Sequence, residues 1–359
     1  MSKKLFIIFS LIVLFIANSC STKKEQADEK IAAKTDNTEK IAKHADILFY
    51  NVENLFDLLD DPIKKDEDFT PNGKLKWTQE RYDKKLENLA KVISAVDSTK
   101  LPVMVGLAEV ENKKVVEDLV ANKKLASANY QIVHEESPDF RGIDVAFFYN
   151  PSFFTYIKHA TYRIQLKEEP EFVSRDILYV SGVAAGKDTL HVFVNHWSSR
   201  RGGVAESEFK RLAFATKLRT KVDSIFALNP DAKIIIMGDM NDSPTNKSIH
   251  ITLNASNNKN TTDKTELYNL MYEKHLKHEG THNYKGEWNM LDNLIVSQAL
   301  LNTKKGLSTQ HDAGKIFKPR WIQYKNKKYD LYAPSRTYGG GNYYGGFSDH
   351  FPIYFTIQY

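Results

Sequence analysis

Acids, amides and imidazoles recur in this chain wherever an apolar run stops. Asn51 and Glu53 follow the stretch 46–50, Glu109 follows 102–108, and Asn195 and His196 follow 190–194. Gly238, Asp239 and Asn241 follow 233–237, Asp292 opens the run 292–297, and Asp349 and His350 open the last one. Carboxylates and amides are hard oxygen donors of the kind that Mg²⁺, Mn²⁺ or Ca²⁺ takes. A carboxylate beside an imidazole fixes its tautomer and favours its charged form, which suits charge developing on a phosphate ester. The chain has one cysteine and no Cys/His cluster, so nothing points to structural zinc of the finger type. It has no Gly-x-Ser-x-Gly and no Gly-x-x-x-x-Gly-Lys-Ser/Thr, which removes serine-elbow and P-loop chemistry. Any one of these turns is ordinary, since Gly, Asp and Asn all favour strand ends. The signal is the series.

The elements that must position these residues are short apolar strands alternating with helices. "ADILFYN", "LPVMVGLAEVEN", "RGIDVAFFYN", "DTLHVFVNHWSS", "AKIIIMGDMND", "LDNLIVS" and "FPIYFTIQ" read as strands, and Ile234–Met237 is apolar at every position, as a strand covered on both faces should be. Tyr82, Leu86, Leu89, Ile93 and Val96 recur at helical spacing behind Thr78, a suitable N-cap. A second helix is expected over 205–228, with Phe209, Leu212, Ala215, Val222 and Phe226 near one face. Residues 254–266 and 302–345 read as inserted segments, the second Lys- and Tyr-rich and ending in "TYGGGNYYGG".

The chain has 359 residues, 42% hydrophobic and 12% aromatic, enough for a large core. Its net charge is +5, but eight Lys against five Asp/Glu within residues 1–44 account for three of these. The body is left near neutral, so composition alone makes no case for nucleic-acid binding. "MSKK" followed by "LFIIFSLIVLFIA" reads as an export signal over 1–20, too short to span a bilayer as a helix. Cys20 stands at its end in a lipobox-like context, so the expectation is a lipidated cysteine; the alternative is a plain secretory signal. Residues 21–44 read as a polar tether and 45–359 as one domain.

"YNVENLFD", "GLAEVEN", "NHWSSRRGG", "MGDMND" and "SDHFP", in this order, resemble the endonuclease/exonuclease/phosphatase superfamily, and in particular a branch of exported bacterial members. The resemblance implies an α/β fold of the deoxyribonuclease I type, a four-layer α/β/β/α sandwich of two mixed β-sheets packed face to face. It implies a divalent metal, most simply Mg²⁺ with Mn²⁺ or Ca²⁺ as alternatives, held by Asn51, Glu53, Glu109 and Asp349. It gives catalytic roles to Asp239, which orients or deprotonates water, to Asn241 and His196 on the phosphate, and to His350 backed by Asp292.

Other residues carry two readings. Arg200 and Arg201 serve either as bidentate phosphate ligands or as exposed salt-bridge partners. Glu53 and Glu111 read equally as solvated loop acids, and Asp144 as the close of a turn. The Tyr/Gly run 338–347 is either a substrate-facing loop or a packed tip. The expectation is a metal-dependent phosphodiesterase or nuclease outside the cytoplasm, on a membrane through its lipid anchor or secreted without it, with nucleic acid as first substrate and no protein partner implied. A phospholipid or sugar-phosphate phosphatase, and a non-catalytic surface lipoprotein on the same fold, are the alternatives.

Overall fold

A computed structural model of the chain describes residues 43–301, 303 and 306–359. The expected export signal, the Cys20 lipidation site and nearly all of the tether 21–44 lie outside the described residues. The chain from His44 to Tyr359 forms one compact unit.

Strands β1 (His44–Leu55), β2 (Met104–Val110), β3 (Gln131–His134) and β4 (Asp144–Tyr149) begin the first sheet, with helices α1 (Gln79–Ser94) and α2 (Lys113–Val120) between them. Strands β5 (Phe154–Tyr162), β6 (Ile177–Ala184) and β7 (Asp188–His196), helix α3 (Glu208–Leu228), and strands β8 (Lys233–Asp239), β9 (Ala255–Ser256) and β10 (Leu267–Asn269) build the second. The hairpin β11 (His282–Tyr284) and β12 (Glu287–Asn289) precedes β13 (Asp292–Ser297), which joins that sheet. The chain then returns to the first sheet through β14 (Lys315–Ile316). Two small hairpins follow, β15 (Gln323–Asn326) with β16 (Leu331–Pro334) and β17 (Tyr338–Gly339) with β18 (Asn342–Tyr343), before the terminal β19 (Ile353–Gln358). The sheet orders are β14-β19-β1-β2-β4-β3 and β5-β6-β7-β8-β13-β10-β9.

Strand periodicity explains the layers. Ile47 and Phe49 of β1, Met104 and Ala108 of β2, Val192 and Val194 of β7, and Ile235 and Met237 of β8 share one apolar cluster between the sheets. Their neighbours point outward. Leu48, Tyr50, Val105 and Leu107 pack under Leu89 and Ile93 of α1 and Val115 and Val116 of α2. Ile234, Ile236 and Phe193 pack under Phe214, Leu218 and Val222 of α3. The continuous apolar run in β8 is therefore two faces, each covered. A Cβ on Gly106 would sit 2.5 Å from the Met237 sulfur, so any larger residue there would make Met237 shift between the sheets.

The strand expectations and α1 match the structure to within a few residues. In α3 the inward stripe is Arg211, Phe214, Ala215, Leu218, Val222 and Phe226, whereas Phe209 is exposed. Strands β5 and β6 were not expected. Residues 254–266 are not wholly a loop, since β9 closes the sheet edge beside β10.

Candidate active site

Register brings the chemistry to one end of the sandwich. Parallel pairing of β7 with β8 sets His196 opposite Asp239, and antiparallel pairing of β8 with β13 sets Asp292 opposite the same Asp239. A Cβ on Gly238 would lie 2.4 Å from the Asn195 carbonyl oxygen, so glycine is required where β8 presses on β7 just behind Asp239. In the other sheet β1 and β2 run parallel, and β19 pairs antiparallel with β1, which carries Ser348–His350 up beside Asn51. The Ser348 hydroxyl donates to the Asn51 carbonyl at 2.7 Å and accepts from the His350 amide at 3.1 Å. Bulges interrupt β1 between Asn51 and Leu55 and β2 between Ala108 and Val110. Glu53, Asn54 and Glu109 sit in these bulges with φ of 52°, 56° and 66°, and Asn241 has φ 49°. A bulge re-aims side chains, and here it gathers Glu109 towards Asn51.

Asp239 is the centre. Its Oδ2 accepts from Asn51 Nδ2 at 3.0 Å and lies 3.8 Å from both His196 Nε2 and His350 Nε2. Its Oδ1 accepts from the Asn241 amide at 2.9 Å. Glu109 Oε1 lies 3.3 Å from Asn51 Nδ2 and 3.8 Å from His196 Nε2. Behind His350, Asp292 Oδ2 is 2.7 Å from Nδ1. Asn241 reaches the Trp197 carbonyl at 3.0 Å.

Glu53 and Asp349 stand to one side and share a cation. Arg336 donates to Asp349 at 2.6 Å and lies 3.5 Å from Glu53, which also accepts from the Thr337 amide at 2.6 Å. The buried Lys85 of α1 donates to the Thr337 hydroxyl at 2.6 Å and the Phe347 carbonyl at 2.8 Å, and Asn88 holds the Gly345 and Gly346 carbonyls. The Tyr/Gly run is thus pinned to α1 as a wall beside the site.

A model of the endonuclease/exonuclease/phosphatase family matches residues 46–359. The chain belongs to this family. No curated protein sequence matches it. Among solved structures it is similar to truncated TDP2 of Caenorhabditis elegans, 17% identical over 88% of this chain and 98% of that one, with a TM-score of 0.51. It is similar to the human nocturnin catalytic domain, 14% identical over 88% and 97%, TM-score 0.51. It is also similar to a mannosyl-6-phosphatase of Bacteroides thetaiotaomicron, 13% identical over 88% and 100%, TM-score 0.52. At these identities the likeness is one of fold. Family membership makes the chain, in coarse terms, a metal-dependent phosphoester hydrolase.

The electrostatics of this family member separate His196 from His350. Burial, reinforced by Arg175, Arg141 and His350, holds His196 well below the usual imidazole range, so it is neutral. Besides burial, the buried Arg175, which donates to the His196 and Trp197 carbonyls, makes a charge on this ring unfavourable. For His350 burial also opposes charge, but Asp292, Asp239 and Asp349 outweigh it and hold the ring well above its ordinary value as an imidazolium. Burial pushes Asp239 up to about 6 against the pull of His350, and burial with the Asp349 charge pushes Glu53 up to about 7.

The donor set suits a hard dication. Glu109 offers carboxylate oxygens and keeps 16% of its side chain open to solvent, while Asn51, whose Nδ2 donates to Glu109 and whose Oδ1 accepts from the Glu53 amide at 3.0 Å, would offer its carbonyl oxygen with the amide turned. Glu109 and Asn51, with Asp349, are the residues that would hold it. Glu53 is the weakest candidate, being occupied by the backbone of the wall and by Arg336.

Arg200 does not face the cleft freely. It donates to the Asn241 carbonyl at 2.7 Å and bridges Asp242 and Asn246 at 3.2 Å each, bracing the loop after Asp239. Arg201 is exposed and lines a separate cleft of about 710 Å³ with Phe140, Arg141, Arg175 and Lys210. Glu53 and Glu111 are buried rather than solvated. Sequence reasoning missed Lys85, Arg175, Arg211 and Arg336. Arg211 had a signal, as an arginine on the apolar stripe of α3, where it meets Asp242 at 2.8 Å.

Proposed function

We propose that the chain is a metal-dependent phosphodiesterase that hydrolyses its substrate by in-line attack of water, outside the cytoplasm. The observation that carries this reading is the surroundings of one carboxylate oxygen: Asp239 Oδ2, with Asn51, His196 and His350 nitrogens at 3.0, 3.8 and 3.8 Å. A carboxyl poised near neutral pH is matched to accept a proton. In this scheme Asp239 orients water and takes its proton as the water oxygen bonds to phosphorus and the ester oxygen departs. The His350 imidazolium, kept charged by Asp292, stabilises the developing phosphorane charge, while neutral His196 and the Asn241 amide act as hydrogen-bond donors to phosphate oxygens. A divalent cation held by Glu109, Asn51 and Asp349 supplies further charge neutralisation on the phosphate when bound.

Nucleic acid is the first substrate proposed; D. rerio TDP2, similar in fold at 14% identity, has been crystallised with a single-strand DNA product. A second reading, a sugar-phosphate or phospholipid-headgroup ester, is favoured by a pocket of about 480 Å³ at Arg336, the residue that pairs with Asp349. It is lined by Tyr324, Ser335, Arg336, Gly339, Gly340 and Tyr344, a size and aromatic lining suited to one ring. The export signal and Cys20 support action at a cell envelope. Hydrolysis of bis-p-nitrophenyl phosphate with and without EDTA tests the chemistry. A panel of single- and double-stranded DNA, RNA, inositol phosphates, sphingomyelin and sugar phosphates then ranks the readings. A folded chain without metal-dependent turnover on any of them would remove the enzyme reading.

A further inference from the structure

A second group of ligand-type side chains lies away from the Asp239 cleft, at the turn between β3 and β4. His134 ends β3, Asp144 opens β4, and Glu136 lies between them in sequence. One potential ligand atom from each falls within 4.8 Å of the others. The side chains of His134 and Asp144 are each only 2% exposed. His134 Nε2 and Asp144 Oδ2 face each other at 3.5 Å, yet neither makes a hydrogen bond. Two buried polar atoms left so is costly, on the order of 1–3 kcal/mol each. The other Asp144 oxygen is used, accepting from the Ser137 amide at 3.0 Å, so the carboxylate is fixed with its free oxygen towards the imidazole.

The separation itself is informative. Two ligands about 2.0–2.1 Å from a tetrahedral metal stand roughly 3.4 Å apart. The observed 3.5 Å is that spacing, whereas a good charge-assisted hydrogen bond would close to about 2.8 Å. Glu136 is exposed, which gives a solvent approach and lets its side chain swing in. Two carboxylates crowd together with an imidazole, and burial with the Asp144 charge pushes Glu136 up, a crowding that a dication would relieve. Lys64, which acts on Glu136 electrostatically, is committed to the Ser137 and Asp139 carbonyls.

We propose that His134, Glu136 and Asp144 form a metal site, separate from the Asp239 cleft, that takes a transition-metal dication of the Zn²⁺ class. One imidazole with two carboxylates is a borderline donor set, which prefers Zn²⁺ or Co²⁺ to Mg²⁺ and Ca²⁺. The ion fastens the turn that carries Asp139. Asp139 accepts from Arg175 at 2.8 Å, and Arg175 in turn holds the His196 and Trp197 carbonyls. The ion is thus a clip two contacts from the cleft.

The test uses the full chain and zinc itself. Zinc titration by calorimetry, with bound metal counted by elemental analysis, is compared for wild type, His134→Gln and Asp144→Asn, each checked for a native circular dichroism spectrum. Both variants should lose a zinc equivalent that Glu109→Ala retains, with affinity falling by more than the roughly 10–100-fold that loss of a merely supporting partner costs. A second measurement needs no variant: Co²⁺ added to the wild type should give the intense visible bands of four-coordinate cobalt, unaffected by excess Mg²⁺. Equal zinc stoichiometry and affinity in wild type and His134→Gln, or absence of the four-coordinate cobalt bands, overturns the proposal.

Discussion

Asp292→Asn separates charge from shape at the back of the cleft. Asparagine has nearly the volume of aspartate, and its carbonyl can still accept from His350 Nδ1, now 2.7 Å from Asp292 Oδ2. What is lost is the negative charge that, with Asp239 and Asp349, overcomes burial and keeps His350 protonated. A hydrogen bond to a charged group contributes about 1.5–3 kcal/mol, so the imidazolium should become roughly 10- to 150-fold harder to maintain. The rate on bis-p-nitrophenyl phosphate at pH 7 should fall by a similar factor, and the alkaline limb of the pH–rate profile should move to lower pH. Stability gives an independent check. A histidine raised on folding stabilises fully below its unfolded value and loses that contribution as pH rises through its folded value. The wild type therefore keeps this stabilisation at neutral pH, and the variant should lose it earlier. A variant with wild-type rate, an unmoved alkaline limb and full binding of divalent metal would refute the role assigned to the pair.

Three further perturbations have defined outcomes. Phe214→Ala, under α3 against Trp197, should cost about 3–5 kcal/mol in urea unfolding; a loss below about 1 kcal/mol would mean that α3 does not pack as described. Arg336→Ala should lower the Mg²⁺ concentration needed for half-maximal activity, because the guanidinium now competes with a cation for Asp349; an unchanged or raised requirement in a metal titration counts against that competition. Burial pushes His191 down to about 4, where it meets the Tyr179 hydroxyl at 2.7 Å. Its stabilising contribution is complete above the ordinary imidazole value and is lost as pH falls towards about 4, so His191→Gln should flatten the fall in melting temperature across that window.

What was legible in the sequence was whatever depends on periodicity and on local turn chemistry. Ile234–Met237 announced a strand covered on both faces, and the polar residue at the end of each run announced where strand ends converge. Register did the rest, and register is set by partners that the sequence does not name. The α3 stripe shifted because Arg211 is buried by its pairing with Asp242, which moves the inward face off Phe209. Residues 302–345 looked like an insertion because Lys and Tyr dominate them. Their contribution, Arg336 against Glu53 and Asp349, depends on Lys85 and Asn88, some 250 residues earlier on α1. The charge state of His196 was out of reach for the same reason: it is set first by burial and then by Arg175, from the segment before β6.

The left-handed backbone at Glu53, Asn54, Glu109 and Asn241 has a consequence for how this protein can change. For a residue with a Cβ such a conformation costs roughly 1–2 kcal/mol, less for asparagine. Glycine at position 109 would relieve that cost and delete the carboxylate in one step. The mutations that most readily make the chain more heat-resistant are therefore among those that empty the cleft of its chemistry. A library selected for thermostability alone would drift towards an inert, sturdier version of the same sandwich, and only selection for turnover would hold the strained residues in place.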